Sequence, residues 1–97
     1  MKTIIQTPDF KATQELLDFV DTKIQKLDHL SDRIVEGRVI LKLDKSSTRD
    51  NKLCEIRIVI PGSDLFVTGK ATSFEAAASD AVDAARQKIV KWKERSG

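Results

Sequence analysis

The spacing of apolar residues changes period twice along this chain, and that order of periods restricts the folds open to it. Leu17, Val20, Ile24 and Leu27 recur at intervals of three and four, the mark of one buried helical stripe. From Arg38 to Asp44 the period falls to two: Val39, Leu41 and Leu43 share one side, and Arg38, Ile40, Lys42 and Asp44 the other. Cys54, Ile56, Ile58 and Ile60 repeat the alternation, and Leu65 to Ala71 supplies a further extended run. The period then returns to helical, with Phe74, Ala78, Ala81, Ala85, Ile89 and Trp92 on one stripe. A short β-rich run, Lys2–Gln6, precedes all of these and is stopped by Pro8, which has no amide to give a ladder.

Local signals set the boundaries. Thr13 is a candidate N-cap for a first helix from Gln14 to about Leu30, and Thr72 with Glu75 has capping-box spacing for a second helix from Ser73 to about Lys93. The second strand covers Arg38–Asp44, with room to begin as early as Ile34, and the polar stretch Lys45–Asn51 reads as a loop. Pro61–Asp64 is a turn too short for anything but a hairpin between the strands beside it. The order is β-α-β-β-β-α, and 97 residues make one domain spanning 1–97. The expected fold is α+β: a two-layer sandwich in which a four-stranded sheet carries both helices on one face. Arg38, Lys42, Glu55, Arg57, Thr68 and Lys70 then occupy a solvated face. Ile40, Val59 and Phe66 fall there too, for no reason the periodicity supplies.

Several classes of function find no support. The longest apolar runs, Val39–Leu41 and Ile58–Ile60, are far below the about 20 residues of a bilayer span, and Met1-Lys2 has no signal-peptide layout, so a cytoplasmic location is expected. The single cysteine, Cys54, makes neither an internal disulfide nor a thiolate metal site, and its place beside Ile56 and Ile58 suits a small buried hydrophobe. His29, the one histidine, falls at a helix end among Asp28, Asp32 and Arg33. Asp18/Asp21 and Asp80/Asp83 sit on solvated helix surface, where nothing drives two carboxyl pKa values apart. The glycines occur singly, without a phosphate cradle. No enzyme, metal or cofactor is therefore expected, and no small-molecule substrate. Trp92 shares the apolar stripe of the second helix, which favours packing over base stacking.

Charge is the informative remainder. The net value is only +2, yet Arg86, Lys88, Lys91, Lys93 and Arg95 crowd the last stretch against Glu94 alone. Cations gather at helix C-termini because the dipole favours them, so this cluster has a bland reading as well as a functional one. At about 100° per residue, Lys23 and Lys26 lie on one flank of the first helix and Asp21 and Asp28 on the other, an asymmetry the dipole does not explain. On the second helix, Lys88, Lys91 and Arg95 take one flank, Arg86 and Lys93 the other. If the helices pack in parallel, Lys23 and Lys26 meet one of those flanks across a groove. Such a groove binds a nucleic-acid backbone with little base readout and strong salt dependence.

The segments Leu17–Leu27, Asp32-Arg33-Ile34, Val39–Lys45 and Ile60–Phe66, in this order, resemble the bacterial ribosome hibernation-promoting factor and ribosome-associated inhibitor family, formerly called sigma-54 modulation proteins. The resemblance runs from about residue 1 to residue 95. It implies a β-α-β-β-β-α domain that binds the small ribosomal subunit, its ribosomal RNA and neighbouring proteins, in the channel of messenger and transfer RNA. Translation would thereby be blocked in stationary phase or stress. By position, Lys23 and Lys26 match the family's basic pair on the first helix, and Lys91 and Lys93 its late pair on the second. Arg86 and Lys88 are displaced by one position from the family's pattern, which changes where they point. The chain looks like the short form, monomeric off the ribosome. Two other readings stay open: a double-stranded RNA-binding module that reads shape, and a protein-interaction domain whose cations merely satisfy helix ends.

Overall fold

In the computed structural model, which describes residues 1–46 and 49–96, the chain runs β1 (Lys2–Gln6), α1 (Gln14–Gln25), β2 (Glu36–Leu43), β3 (Lys52–Ile60), β4 (Ser63–Ala71) and α2 (Phe74–Ser96), with a 3₁₀ turn at Asp28–Leu30. Ser47 and Thr48 of the expected loop, and Gly97, lie outside the described residues. The sheet order is β1-β2-β3-β4, and both helices cover one face, as the periodicity predicts. β1 runs parallel to β2 because α1 is the crossover between them, while β2, β3 and β4 are successively antiparallel. The sheet is therefore mixed, with β1 and β4 at its edges.

Thr13 caps α1 as expected: its Oγ1 accepts the Leu16 amide at 3.2 Å. α1 stops at Gln25, short of the expected Leu30. Its carbonyls at Lys23 and Ile24 accept from the amides of Lys26 and Leu27, three residues on, so the last turn tightens before the 3₁₀ turn. Tightening seats Leu27 in the core with no exposed surface, and the amino terminus holds Asp28 at 3.0 Å.

α2 also starts differently from expectation. The cap is Ser73, whose Oγ accepts the Ala76 amide at 3.1 Å, so Thr72 and Glu75 form no capping box. The β3–β4 turn shrinks to Pro61 and Gly62, since Ile60 already pairs with Ser63. Pro61 presets φ and Gly62 sits at +79°, the combination a type II turn requires.

The core lies between sheet and helices. Val20, Ile24 and Leu27 meet the inward residues of β2 and β3, among them Val39, Leu41, Ile56 and Ile58. Each such side chain contributes about 1.5–3 kcal/mol on burial. α2 presents Ala77, Ala78, Ala81 and Ala85, all without exposed surface, and the small side chains let it lie close upon β4. The approach is closest at Gly69, where a Cβ would stand 2.2 Å from the Ala77 carbonyl oxygen and 2.7 Å from the Ala81 nitrogen. Residue 69 must be glycine for this packing distance.

Candidate nucleic-acid interface

Strand directions fix the relation of the helices. β1, β2 and β4 point the same way, and each helix returns antiparallel to the strand before it, so α1 and α2 run side by side in parallel. Their C-termini share the end of the sheet where β1, β2 and β4 begin. At that end Gln25 Nε2 donates to Thr3 Oγ1 at 2.7 Å, and the Arg33 guanidinium lies 4.4 Å from the centre of the Trp92 ring. The acidic first turns, with Glu15 and Glu75, lie at the opposite end.

Anchoring contacts then show which flanks face each other. On α1, Gln25, Asp21 and Asp28 turn toward β1 and the amino terminus. Lys23 and Lys26 therefore take the flank facing α2, with the Lys23 ammonium 5.6 Å from the Phe19 ring centre. On α2, Lys88 Nζ donates to the Phe66 carbonyl oxygen of edge strand β4 at 2.7 Å. The Lys88, Lys91 and Arg95 flank thus faces outward over the sheet edge, and Arg86 and Lys93 take the flank facing α1.

Of the candidate residues, helical position therefore puts Lys23 and Lys26 on the flank of α1 facing α2, and Arg86 and Lys93 on the flank of α2 facing α1. Lys88 and Lys91 stand on the far side of α2. Arg33 is a further cation at the same end, exposed and stacked on Trp92. It was not legible as a site residue, because only the connection from the 3₁₀ turn to β2 carries it there. Lys23, Lys26, Lys91 and Lys93 make no ion pair among the described residues, while Arg86 reaches Asp83 at 3.3 Å. Lysines held together without carboxylates repel one another and attract a polyanion.

The sheet face opposite is arranged differently. There Arg38 pairs with Glu36, Lys42 with Glu55 at 3.3 Å, Arg57 with Asp64 at 3.9 Å and Lys70 with Asp44. Lys70, with the hydroxyl and amide of Ser46 behind it, holds the Asp44 carboxyl down to about 2.

The remaining candidates for chemistry take structural places. Cys54 is buried, and desolvation, with a smaller push from Glu55, raises its thiol to about 12, where it is a poor nucleophile at neutral pH. Trp92 is half-buried under Arg33, and His29 is exposed. No grouping of side chains suited to a metal ion occurs among the described residues, and no helix among them is long and apolar enough to cross a membrane.

Fold and site together define a small α+β domain whose two parallel helices carry cations on the flanks they turn toward each other. The chain belongs to the family described as Sigma 54 modulation protein / S30EA ribosomal protein, whose model matches residues 3–96. Among solved structures, a ribosomal subunit interface protein from Coxiella burnetii superimposes with a TM-score of 0.85 at 14% identity, over 97% of this chain and 99% of that one. The Thermus thermophilus Protein Y N-terminal domain superimposes with a TM-score of 0.80 at 22% identity, over 95% of this chain and 99% of its own. At these identities the likeness is one of fold. No curated protein sequence is significantly similar to the chain.

Proposed function

We propose that this domain is a ribosome-associated translation inhibitor that occupies the messenger and transfer RNA channel of the small subunit in stationary phase or stress. Inhibition is by steric occupation, with lysine and arginine contacts to ribosomal RNA phosphates, and needs no cofactor and no catalytic step. What supports this reading is the placement, by helical position, of Lys23, Lys26, Arg86 and Lys93 on the facing flanks of the two helices, three of them without a carboxylate partner among the described residues. Family membership supplies the ribosomal context. Lys88 and Lys91, on the outer flank of α2, contact RNA at the margin of the same site. Off the ribosome the domain is a monomer in the cytoplasm.

Sucrose-gradient sedimentation of lysates from growing and starved cells tests the proposal. The domain should travel with ribosomal particles and leave them at high salt. Equal affinity for any RNA duplex would instead favour a general double-stranded RNA module. Reversal of Lys23 and Lys26 that left ribosome and RNA binding intact would favour a protein-interaction domain.

A further inference from the structure

The open face of the sheet carries a row of side chains that the helix groove does not use. In register across all four strands stand Ile4, Arg38, Arg57 and Phe66. They line a shallow hollow of about 280 Å³, shared with Gln6, Ile40 and Glu55. Two features of this row lack a structural reason. Like charges directly opposite on antiparallel strands are destabilising, yet Arg38 and Arg57 are such a pair. Phe66 is 47% exposed beside them, where a polar residue would serve the sheet as well.

Carboxylates stand beside both arginines. Glu36 pairs with the Nε of Arg38, and Asp64 lies 3.9 Å from the Nε of Arg57, both carboxylates coming from the neighbouring row of the sheet. The two guanidinium groups come from directly opposed residues, and a guanidinium's planar set of donors is suited to a phosphate. Glu55, the carboxylate in the hollow, is engaged by Lys42. Apolar walls flank the arginines, Ile4 and Ile40 on one side and the Phe66 ring on the other. The hollow's volume is at the lower limit of small-molecule sites, ~300 Å³.

We infer that the sheet face binds one unpaired nucleotide of single-stranded RNA, its phosphate between Arg38 and Arg57 and its base against Phe66. Unpaired bases stack on aromatic rings and guanidinium planes, whereas a duplex keeps its bases out of reach. The domain then presents two RNA-binding faces: a groove that follows backbone charge, and a sheet that takes a splayed base. The inference rests on the sheet alone and stands or falls apart from the ribosomal reading.

The test uses the whole chain and a fluorescein-labelled eight-nucleotide RNA, single-stranded or annealed to its complement, followed by fluorescence anisotropy at low salt. Arg38→Gln with Arg57→Gln should weaken single-strand binding at least tenfold and duplex binding less than twofold. Phe66→Ala should weaken the single strand about fivefold. Arg38→Lys with Arg57→Lys, which keeps the charge and loses the forks, should fall between. In the wild-type protein, the arginine Nε–H and Phe66 ring resonances should shift on adding the single strand. Unchanged affinity in the arginine variant, equal losses for strand and duplex, resonance shifts confined to the helix groove, or equal binding of an acidic peptide would overturn the inference. Lys23→Glu with Lys26→Glu, expected to abolish ribosome co-sedimentation while the sheet resonances still respond to the single strand, separates this outcome from failure of the proposed function.

Discussion

The two faces of this domain handle positive charge in opposite ways. On the helix face, Lys23, Lys26, Lys91 and Lys93 stand without ion-pair partners among the described residues. On the sheet face, every one of Arg38, Lys42, Arg57 and Lys70 has a carboxylate. Exposed pairs of the second kind add little stability, with a median near 0–1 kcal/mol, but they orient guanidinium and ammonium groups and nearly cancel their long-range field. Unpaired lysines do the reverse, projecting a field with little geometric preference. One face thus projects a positive field, and the other holds its cations in defined geometry.

The largest effect should come from breaking the support common to both faces. Gly69→Ala places a methyl group against the backbone of α2, and lifting the helix off β4 should cost about 3 kcal/mol, near the upper end for overpacking. Urea unfolding would show this as a lower midpoint. A cost under 1 kcal/mol would mean that α2 shifts freely and that the groove has no fixed width.

Next comes the field of the helix face. Lys23→Glu with Lys26→Glu should weaken ribosome association about 100-fold in moderate salt, since two phosphate contacts become repulsions. Reversal of the exposed Lys2 and Lys11, outside the groove, should change it little. Equal losses would reduce the groove to a matter of net charge. Within α2 the contrast sharpens: Arg86→Glu with Lys93→Glu should weaken co-sedimentation about tenfold more than Lys88→Glu with Lys91→Glu. Arg86 and Lys93 face α1, whereas Lys88 and Lys91 project over the edge of β4.

The smallest effect belongs to the sheet face. Asp44 has a carboxyl lowered to about 2, against an ordinary value near 3.9, so its contact with Lys70 favours the folded state above about pH 4. That contribution is lost as pH falls from 4 through 2. Asp44→Asn should therefore remove that contribution, lowering stability slightly at pH 7 and flattening stability against pH between 4 and 2, so that variant and wild type converge near pH 2, as thermal unfolding across an acid series would reveal.

Element order and layer arrangement were legible because the period of apolar residues is a local property: helical at 17–27, alternating at 39–43 and again at 54–60, helical once more from 74. Boundaries were less so. Thr72 and Ser73 both carry a hydroxyl able to cap, and Glu75 points to the wrong one; only the approach of Ser73 to the Ala76 amide decides. The end of α1 depends on Leu27 turning into the core, a tertiary demand invisible in the sequence. The candidate site was legible as cation-bearing flanks but not as a pairing of flanks. Which side of α2 meets α1 follows from α1 lying over β1 and Lys88 reaching edge strand β4, and so from sheet order. Arg33 escaped for the same reason, since its place beside Trp92 is set by a connection with no pattern of its own.

The central claim, that a cationic groove between the helices grips an RNA backbone, is tested most directly by the salt dependence of ribosome binding. With four facing-flank cations each displacing counterions, and Lys88 and Lys91 adding to them at the margin, the logarithm of affinity should fall against the logarithm of salt with a slope of about −3 or steeper, and Lys23→Glu with Lys26→Glu should reduce that slope by about 2. An unchanged slope in the double variant would contradict the account, because the lysines would then touch no phosphate.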